Sequence, residues 1–323
     1  MWAQTLIAPQ RFAMQQVARP DEGGLAAGEV LLRLRAGSVC GSDLACFRGE
    51  SETGTGIYGV PGRPMHEVVG TVVHAGDSGF TAGQRVVGWA KRMRGLAEFL
   101  VANADQLTPV DDVWDDVHAT VIQPLACVLH AASRLRGIDG ATVAVLGQGP
   151  LGLLFSRVLK DAGAKHVTAV DYVDRSGAAA EFGVDQVVAD HASNWARKLD
   201  AGQRPHIVVE AVGHNSVTLN DAIHAVGMNG QIFAFGVPGT DHYALDFLRM
   251  FRKNATLHSG TTLDHARHLE QAQRYLQRDK ELAHSYITDV FSTADAQGAY
   301  LRACQPDPAR LKVALVAPSP DQL

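Results

Sequence analysis

Thr142-Val143-Ala144-Val145-Leu146-Gly147-Gln148-Gly149-Pro150-Leu151-Gly152 decides the fold. An apolar, β-branched run enters a G-x-G-x-x-G turn, and a helical pattern follows to about Ala162. Strand, tight turn and helix in that order are what a dinucleotide-binding βα unit requires. Gly147 permits the turn, Gly149 lets backbone approach a pyrophosphate, and Gly152 lets helix and strand pack closely. Pro150 and Leu151 lie in the helix's first turn, whose free N–H groups and positive dipole end attract the phosphates. His166 to Asp171 reads as the next strand, and Asp171 follows Gly152 by 19 residues. There a carboxylate accepts from both hydroxyls of the adenosine ribose and repels a 2′-phosphate, so NAD is expected rather than NADP. Tyr172 and Arg175 follow and are assigned to the same pocket; Arg175 either stacks near the adenine or faces a phosphate.

Outward from this loop, strand and helix signals alternate through Ile207–Glu210 and Gln231–Gly236, which predicts an α/β fold with a parallel, doubly wound sheet. Val212, Gly213, Gly236 and Val237, at the ends of its later strands, are expected to hold the nicotinamide. The region before it is different. Val30, Leu32 and Leu34 alternate with Leu31, Arg33 and Arg35 as a half-buried strand, and Val68–Val73 and Gln84–Gly88 are further strands punctuated by glycine. Leu125, Val128, Leu129, Ala132 and Leu135 then recur at helical spacing, with Pro124 in the first turn. The predicted organisation is a β-rich domain over 1–123, a dinucleotide domain over 124–260, and a return over 261–323 ending in the strand Leu311–Val316.

The 323 residues are long enough for two cores, and 46% hydrophobic with 20% charged residues is ordinary globular composition. A net charge of −5 with no basic cluster excludes a nucleic-acid footprint. Four scattered cysteines make no disulfide framework; Cys46 reads as a packing or lining residue, Cys127 and Cys304 as core. With no secretory h-region and no apolar stretch near membrane-spanning length, a cytoplasmic protein with no membrane partner is expected.

Cys40-Gly41-Ser42-Asp43, just past the first long strand, and His66-Glu67, shortly after, supply a thiolate, an imidazole and a carboxylate. Those are the ligands of a catalytic zinc with one position open. Metal and dinucleotide in one chain point to hydride transfer to and from an alcohol.

These motifs, with Glu210-Ala211-Val212-Gly213, Gly236-Val237-Pro238-Gly239 and the ending Leu311-Lys312-Val313, occur in the order found in medium-chain zinc-dependent alcohol and polyol dehydrogenases. The chain resembles that family over essentially its whole length. Gln123-Pro124-Leu125 followed by His130-Ala131 is similar to the helix start of the sorbitol, threonine and sugar dehydrogenase branch. The resemblance implies a split catalytic domain with a GroES-like β core, a Rossmann domain inserted between its halves, and zinc in the cleft between them. By position, Cys40 and His66 are implied as zinc ligands, Glu67 as a ligand or near-ligand with a catalytic part, and Gln123 as the occupant of the third-ligand position. Asp43 orients His66, and Ser42 begins proton removal from a hydroxylated small-molecule substrate.

Three departures from the family pattern are visible. Gln123 stands where relatives carry Cys or Glu, and a neutral amide leaves the metal more electrophilic. Ala45 replaces a relay histidine, so the proton leaves through water or another group. Only Trp89–Leu96 bridges the strands between which relatives place a four-cysteine lobe, so one catalytic zinc and no structural zinc are expected. The polar stretch Arg48, Glu50, Ser51, Glu52, Thr53 and Tyr58 reads either as a solvated surface loop or as part of a pocket for a hydroxyl-rich or amine-bearing substrate, such as a polyol, sugar or cyclitol. The family also implies a homodimer or homotetramer, paired at the sheet edge through Gln231–Gly236 and the strand near Thr256–His258. Two other readings stand beside this one: a zinc-free reductase of an activated carbonyl or double bond, and a dinucleotide-binding sensor without turnover.

Overall fold

The structure, a computed structural model, describes residues 1–50 and 58–318. Ser51, Glu52 and Thr53 of the polar stretch lie outside them. Two compact units form: one from Met1–Ala126, Leu263–Gln305 and the chain from Arg310 onward, the other from Cys127–Thr262 with Pro306–Ala309.

The first unit begins with the hairpin β1 (Trp2–Ala8) and β2 (Arg11–Gln16), then β3 (Glu29–Ser38) and α1 (Gly41–Arg48). Four strands follow: β4 (Glu67–His74), β5 (Arg85–Trp89), β6 (Phe99–Asn103) and β7 (Leu107–Pro109), and then α2 (Asp116–Ala119) and α3 (Ile122–Ser133). The predicted half-buried alternation in β3 holds from Leu32 to Ala36, where Arg33 and Arg35 are the less buried residues, but fails at Leu31, which is as buried as Leu32. β3 is a central strand, flanked by β4 and β6, with register shifts against β4 at Leu31/Leu32 and Leu34/Ala36.

The second unit carries β8 (Thr142–Leu146), α4 (Pro150–Asp161), β9 (His166–Asp171), α5 (Ser176–Ala179), β10 (Gln186–Ala189) and α6 (Ala192–Lys198). It continues through β11 (Ile207–Glu210), α7 (Val217–Ala225), β12 (Gln231–Ala234), α8 (Phe247–Arg252) and β13 (Thr256–Ser259). All six strands are parallel, in the order β10-β9-β8-β11-β12-β13. β8 and β11 are buried almost throughout because helices cover both faces, while the edge strands β10 and β13 are half-exposed. The strand order reverses between β8 and β11, and the glycine loop leaves β8 at that switch point. Gln231–Ala234, expected at the pairing edge, lies one strand in; β13 occupies the edge.

The chain then returns to the first unit as α9 (His265–Arg278), α10 (Glu281–Tyr286), β14 (Ile287–Ser292), α11 (Ala296–Cys304) and β15 (Lys312–Val316). β15 pairs antiparallel with β3, giving a sheet ordered β14-β15-β3-β4-β5-β7 with β6 also on β3. Tyr300 of α11 is fully buried and packs against Phe47 of α1 and Phe12, with ring centroids 5.2 Å and 4.9 Å away. Each such buried ring contributes about 1.5–3 kcal/mol, which fixes α1 and the residues at its start. Cys46 is in this core; Cys127 and Cys304, expected there, are only half-buried. Among the described residues no helix is long and apolar enough to cross a membrane.

Candidate active site

β3 ends at Ser38, and Val39 N–H donates to Val313 O at 3.0 Å, so β15 steers the chain into Cys40. Cys40 is the N-cap of α1 in extended conformation, and its N–H donates to Asp43 Oδ2 at 2.9 Å. The other carboxylate oxygen, Oδ1, lies 3.0 Å from His66 Nδ1. Asp43, fully buried, thereby ties the helix start to the residue before β4. The β3–β4 register sets Glu67 directly opposite Ser38, whose hydroxyl donates to Glu67 Oε2.

Ligand atoms of Cys40, His66 and Glu67 all lie within 4.8 Å of one another. With Nδ1 of His66 on Asp43, Nε2 is the nitrogen left for a metal, the usual carboxylate–histidine arrangement. Glu67 is also held by Lys312, whose Nζ lies 2.8 Å from Oε1 and 2.6 Å from Oε2. Oε2 meets both Ser38 and Lys312, but Oε1 meets only Lys312 and retains a further lone pair, so Glu67 is still able to ligate. Sulfur, nitrogen and oxygen donors at this spacing fit a divalent zinc. Gln123, in the first turn of α3, is buried.

The electrostatics are those of packed charge. Burial acts against a charged His66, yet the Asp43 carboxylate and Cys40 outweigh it and hold the imidazole pKa well above the ordinary 6.5. Burial likewise opposes the Lys312 ammonium, and Glu67, Cys40 and Asp43 together raise its pKa above the usual 10.5. Desolvation, then Asp43, pushes the Cys46 thiol pKa up, in keeping with a packing residue.

Ser42 and His66 line a shallow cavity of about 530 Å³ with Trp89, Met93, Asn103 and Gln106. Tyr58 is exposed, and Arg48 pairs with Glu50 at 2.8 Å.

In the second unit, Gly147 has φ +87°, which only glycine adopts freely, and a Cβ there would sit 2.7 Å from Val212 Cγ2. A Cβ on Gly152 would lie 1.8 Å from Gly147 O, so the third glycine is demanded by packing. A Cβ on Gly149 meets nothing within 4 Å, leaving open space before the N-terminus of α4, with Pro150 in its first turn and Leu151 following. Open backbone before a helix N-terminus is where a pyrophosphate can bind. Asp171, at the end of β9, accepts from Gln148 N–H at 2.5 Å and from Val173 N–H at 2.9 Å. Tyr172 is 66% exposed beside it. Arg175 is buried and donates to the Asp307 and Pro308 carbonyls at 2.6 Å and 2.8 Å, so its guanidinium is committed to Pro306–Ala309. Burial lowers its pKa against the pull of Asp171 and Asp307.

At the ends of β11 and β12, Gly213 and Gly236 touch so closely that a Cβ on Gly236 would fall 2.1 Å from Gly213 N. Buried Glu210 Oε1 accepts from Val212 N–H, Gly213 N–H and the Thr218 hydroxyl, which fixes that turn. Val212 and Val237 are exposed beside the glycines.

Three participants escaped the sequence reading: Ser38, Lys312 and the anchoring oxygen of Glu210. Lys312 carried a signal, a lone cation inside an apolar terminal strand, which needs a buried partner.

The description "Glucose dehydrogenase C-terminus" matches residues 120–313, more than half the chain, and "Alcohol dehydrogenase GroES-like domain" matches residues 26–112. The chain belongs to the zinc-type medium-chain alcohol and polyol dehydrogenases. This dehydrogenase is 29% identical to D-arabinitol dehydrogenase 1 of Uromyces fabae, over 65% of this chain and 68% of that one. It is 27% identical to the erythritol/L-threitol dehydrogenase of Mycolicibacterium smegmatis, over 72% and 75%. Its fold matches the alcohol dehydrogenase TADH from Thermus sp. ATN1 with a TM-score of 0.83 at 22% identity, covering 98% and 100%. The GroES-like core and inserted Rossmann sheet expected from the sequence are both present, and the family chemistry is alcohol and polyol oxidoreduction.

Proposed function

We propose that this dehydrogenase interconverts a secondary alcohol and a ketone on a polyol, sugar or cyclitol, using NAD and one zinc ion. The convergence of Cys40, His66 and Glu67, with Asp43 fixing the His66 tautomer, carries the reading. Cys40, His66 and Glu67 hold the ion, with Gln123 at the remaining protein position. Zinc, when bound, supplies a Lewis acid that brings the pKa of a hydroxyl towards about 7, as it does for water. Ser42 takes the hydroxyl proton and passes it to solvent through water, because Ala45 offers no side-chain relay. Thiolate and carboxylate neutralise a divalent charge, and a neutral Gln123 adds none.

Gly147, Gly149 and Gly152, with the α4 N-terminus, bind the pyrophosphate, and Asp171 takes the adenosine ribose. Tyr172 flanks the adenosine. Arg175 supports that wall from behind, as its carbonyl partners indicate. Val212, Gly213, Gly236 and Val237 hold the nicotinamide. No cysteine lies between β5 and β6, which supports a single ion per chain. A cytoplasmic homodimer or homotetramer, joined along the exposed edge of β13, completes the proposal; sedimentation giving a monomer at micromolar concentration removes that part.

Metal analysis after growth with ample zinc, paired with a polyol panel and NAD, tests the core reading. One zinc per chain, lost with activity on chelation and in Cys40→Ser, is the expected result. Activity without metal moves the protein to the zinc-free reductases. Tight NADH binding with no polyol oxidised moves it to the sensors.

A further inference from the structure

We propose that the substrate carries a carboxylate or phosphate group away from its reacting hydroxyl, and that Arg92 binds it. This rests on the dehydrogenase reading above and concerns the same cavity. Lys91 and Arg92 complete the lining that includes Ser42 and His66. The three basic side chains of this loop are not equivalent. Lys91 pairs with Glu29, and Arg94 Nε donates to Pro61 O at 3.1 Å. Arg92 is exposed, and no described acidic residue pairs with it. An unneutralised guanidinium at the mouth of a site built for hydroxyls is a forked donor matched to an oxyanion.

The loop is held rigidly against the metal-site segment. Ala90 N–H donates to His66 O at 2.8 Å, Met65 N–H to Met93 O at 3.0 Å, and Gly95 N–H to Met65 O at 2.8 Å. Between those anchors, Arg92 (φ +54°) and Met93 (φ +58°) are consecutive left-handed residues, neither of them glycine. That conformation is costly for side-chain-bearing residues and persists only where the surroundings impose it. Arg92 thus rises from a frame hydrogen-bonded directly to the His66 backbone and lines the same cavity.

The test compares a short-chain polyol, its terminal phosphate monoester and its terminal carboxylate, each with NAD. The anionic congeners are expected to exceed the neutral polyol in kcat/KM by about tenfold, chiefly through KM, as for one charge-assisted contact. Added salt should erode that preference. Arg92→Ala is expected to lower the anionic-to-neutral ratio about tenfold and Arg92→Lys to restore part of it. Arg94→Ala should keep the ratio, since Arg94 is spent on Pro61. Titration with inorganic phosphate, read by tryptophan fluorescence, decides the anion site without turnover, because Trp89 lines the same cavity. Saturable quenching in the wild type, weakened about tenfold in Arg92→Ala, is expected. An equal preference for neutral polyols, or phosphate binding indifferent to Arg92, overturns the proposal and leaves the dehydrogenase reading standing. Phosphate binding through Arg92 with no alcohol oxidised overturns the dehydrogenase reading and keeps the anion site.

Discussion

Lys312 and Glu67 form a fully buried ion pair, 2.6 Å at its closest, between residues 245 positions apart in the chain. The pair joins β15 to β4 across β3 at the proposed metal centre. Lys312→Met leaves a buried carboxylate with only the Ser38 hydroxyl for company. Metal-free protein should lose about 3–5 kcal/mol, as for a buried pair stripped of one partner. Chemical denaturation in the presence of chelator measures this, and zinc titration should give a changed affinity, because Glu67 is no longer shared. A loss below about 1 kcal/mol would mean that the ammonium contributes little to holding Glu67.

Gly149 and Gly152 separate cofactor space from packing space. Gly152→Ala drives a Cβ into the Gly147 carbonyl and should cost about 1–3 kcal/mol in stability as well as NADH binding. Gly149→Ala meets nothing in the protein, so its melting temperature should match the wild type while NADH affinity falls roughly tenfold or more. Equal NADH affinity in Gly149→Ala would place the pyrophosphate elsewhere.

Asp171→Asn removes the charge and keeps only one of the two acceptor oxygens that receive the Gln148 and Val173 amides. NADH binding should weaken roughly tenfold and the preference over NADPH should narrow, read by nucleotide fluorescence. An unchanged ratio of the two affinities would show that Asp171 does not select the cofactor.

Asp185 ties α4 to the start of β9, accepting from Lys160 Nζ at 2.8 Å and from Val167 N–H at 2.8 Å. Burial raises its pKa, but those hydrogen bonds prevail and lower it below the ordinary 3.8. A lowered folded pKa means stabilisation that is complete above the unfolded value and disappears as pH falls through the folded one. Asp185→Asn should therefore be less stable than wild type by about 1 kcal/mol at neutral pH, the two curves converging in strong acid. Parallel curves down to the acid limit would rule out this linkage.

The dinucleotide half was legible because its constraints are local. A glycine whose Cβ has 1.8 Å of room is fixed by its immediate neighbours, so a spacing of glycines reveals it. The Cys40, His66 and Glu67 cluster was legible through the ligand chemistry of its residue types. What stayed hidden depends on pairing between distant strands. Ser38 meets Glu67 only through the β3–β4 register, and Lys312 only because β15 crosses back beside β3. The central position of β3 hid the burial of Leu31, and the sheet order makes β13 the outermost of the two strands that the family pattern assigned to the pairing edge. The strained Lys91–Met93 turn gives no sequence signal, since neither Arg92 nor Met93 is a residue that prefers a left-handed backbone.

The placement of β15 has a consequence for biosynthesis. A chain emerging from the ribosome exposes β3, α1 and β4 early, yet the cation that neutralises Glu67 and the strand that guides Val39 are translated only after the inserted unit's six strands. The inserted Rossmann unit has all six of its strands available before that moment. Until then the β3 edge stands open beside a carboxylate without its cation, and a chain stopped before Lys312 lacks both the ion pair and the closing strand.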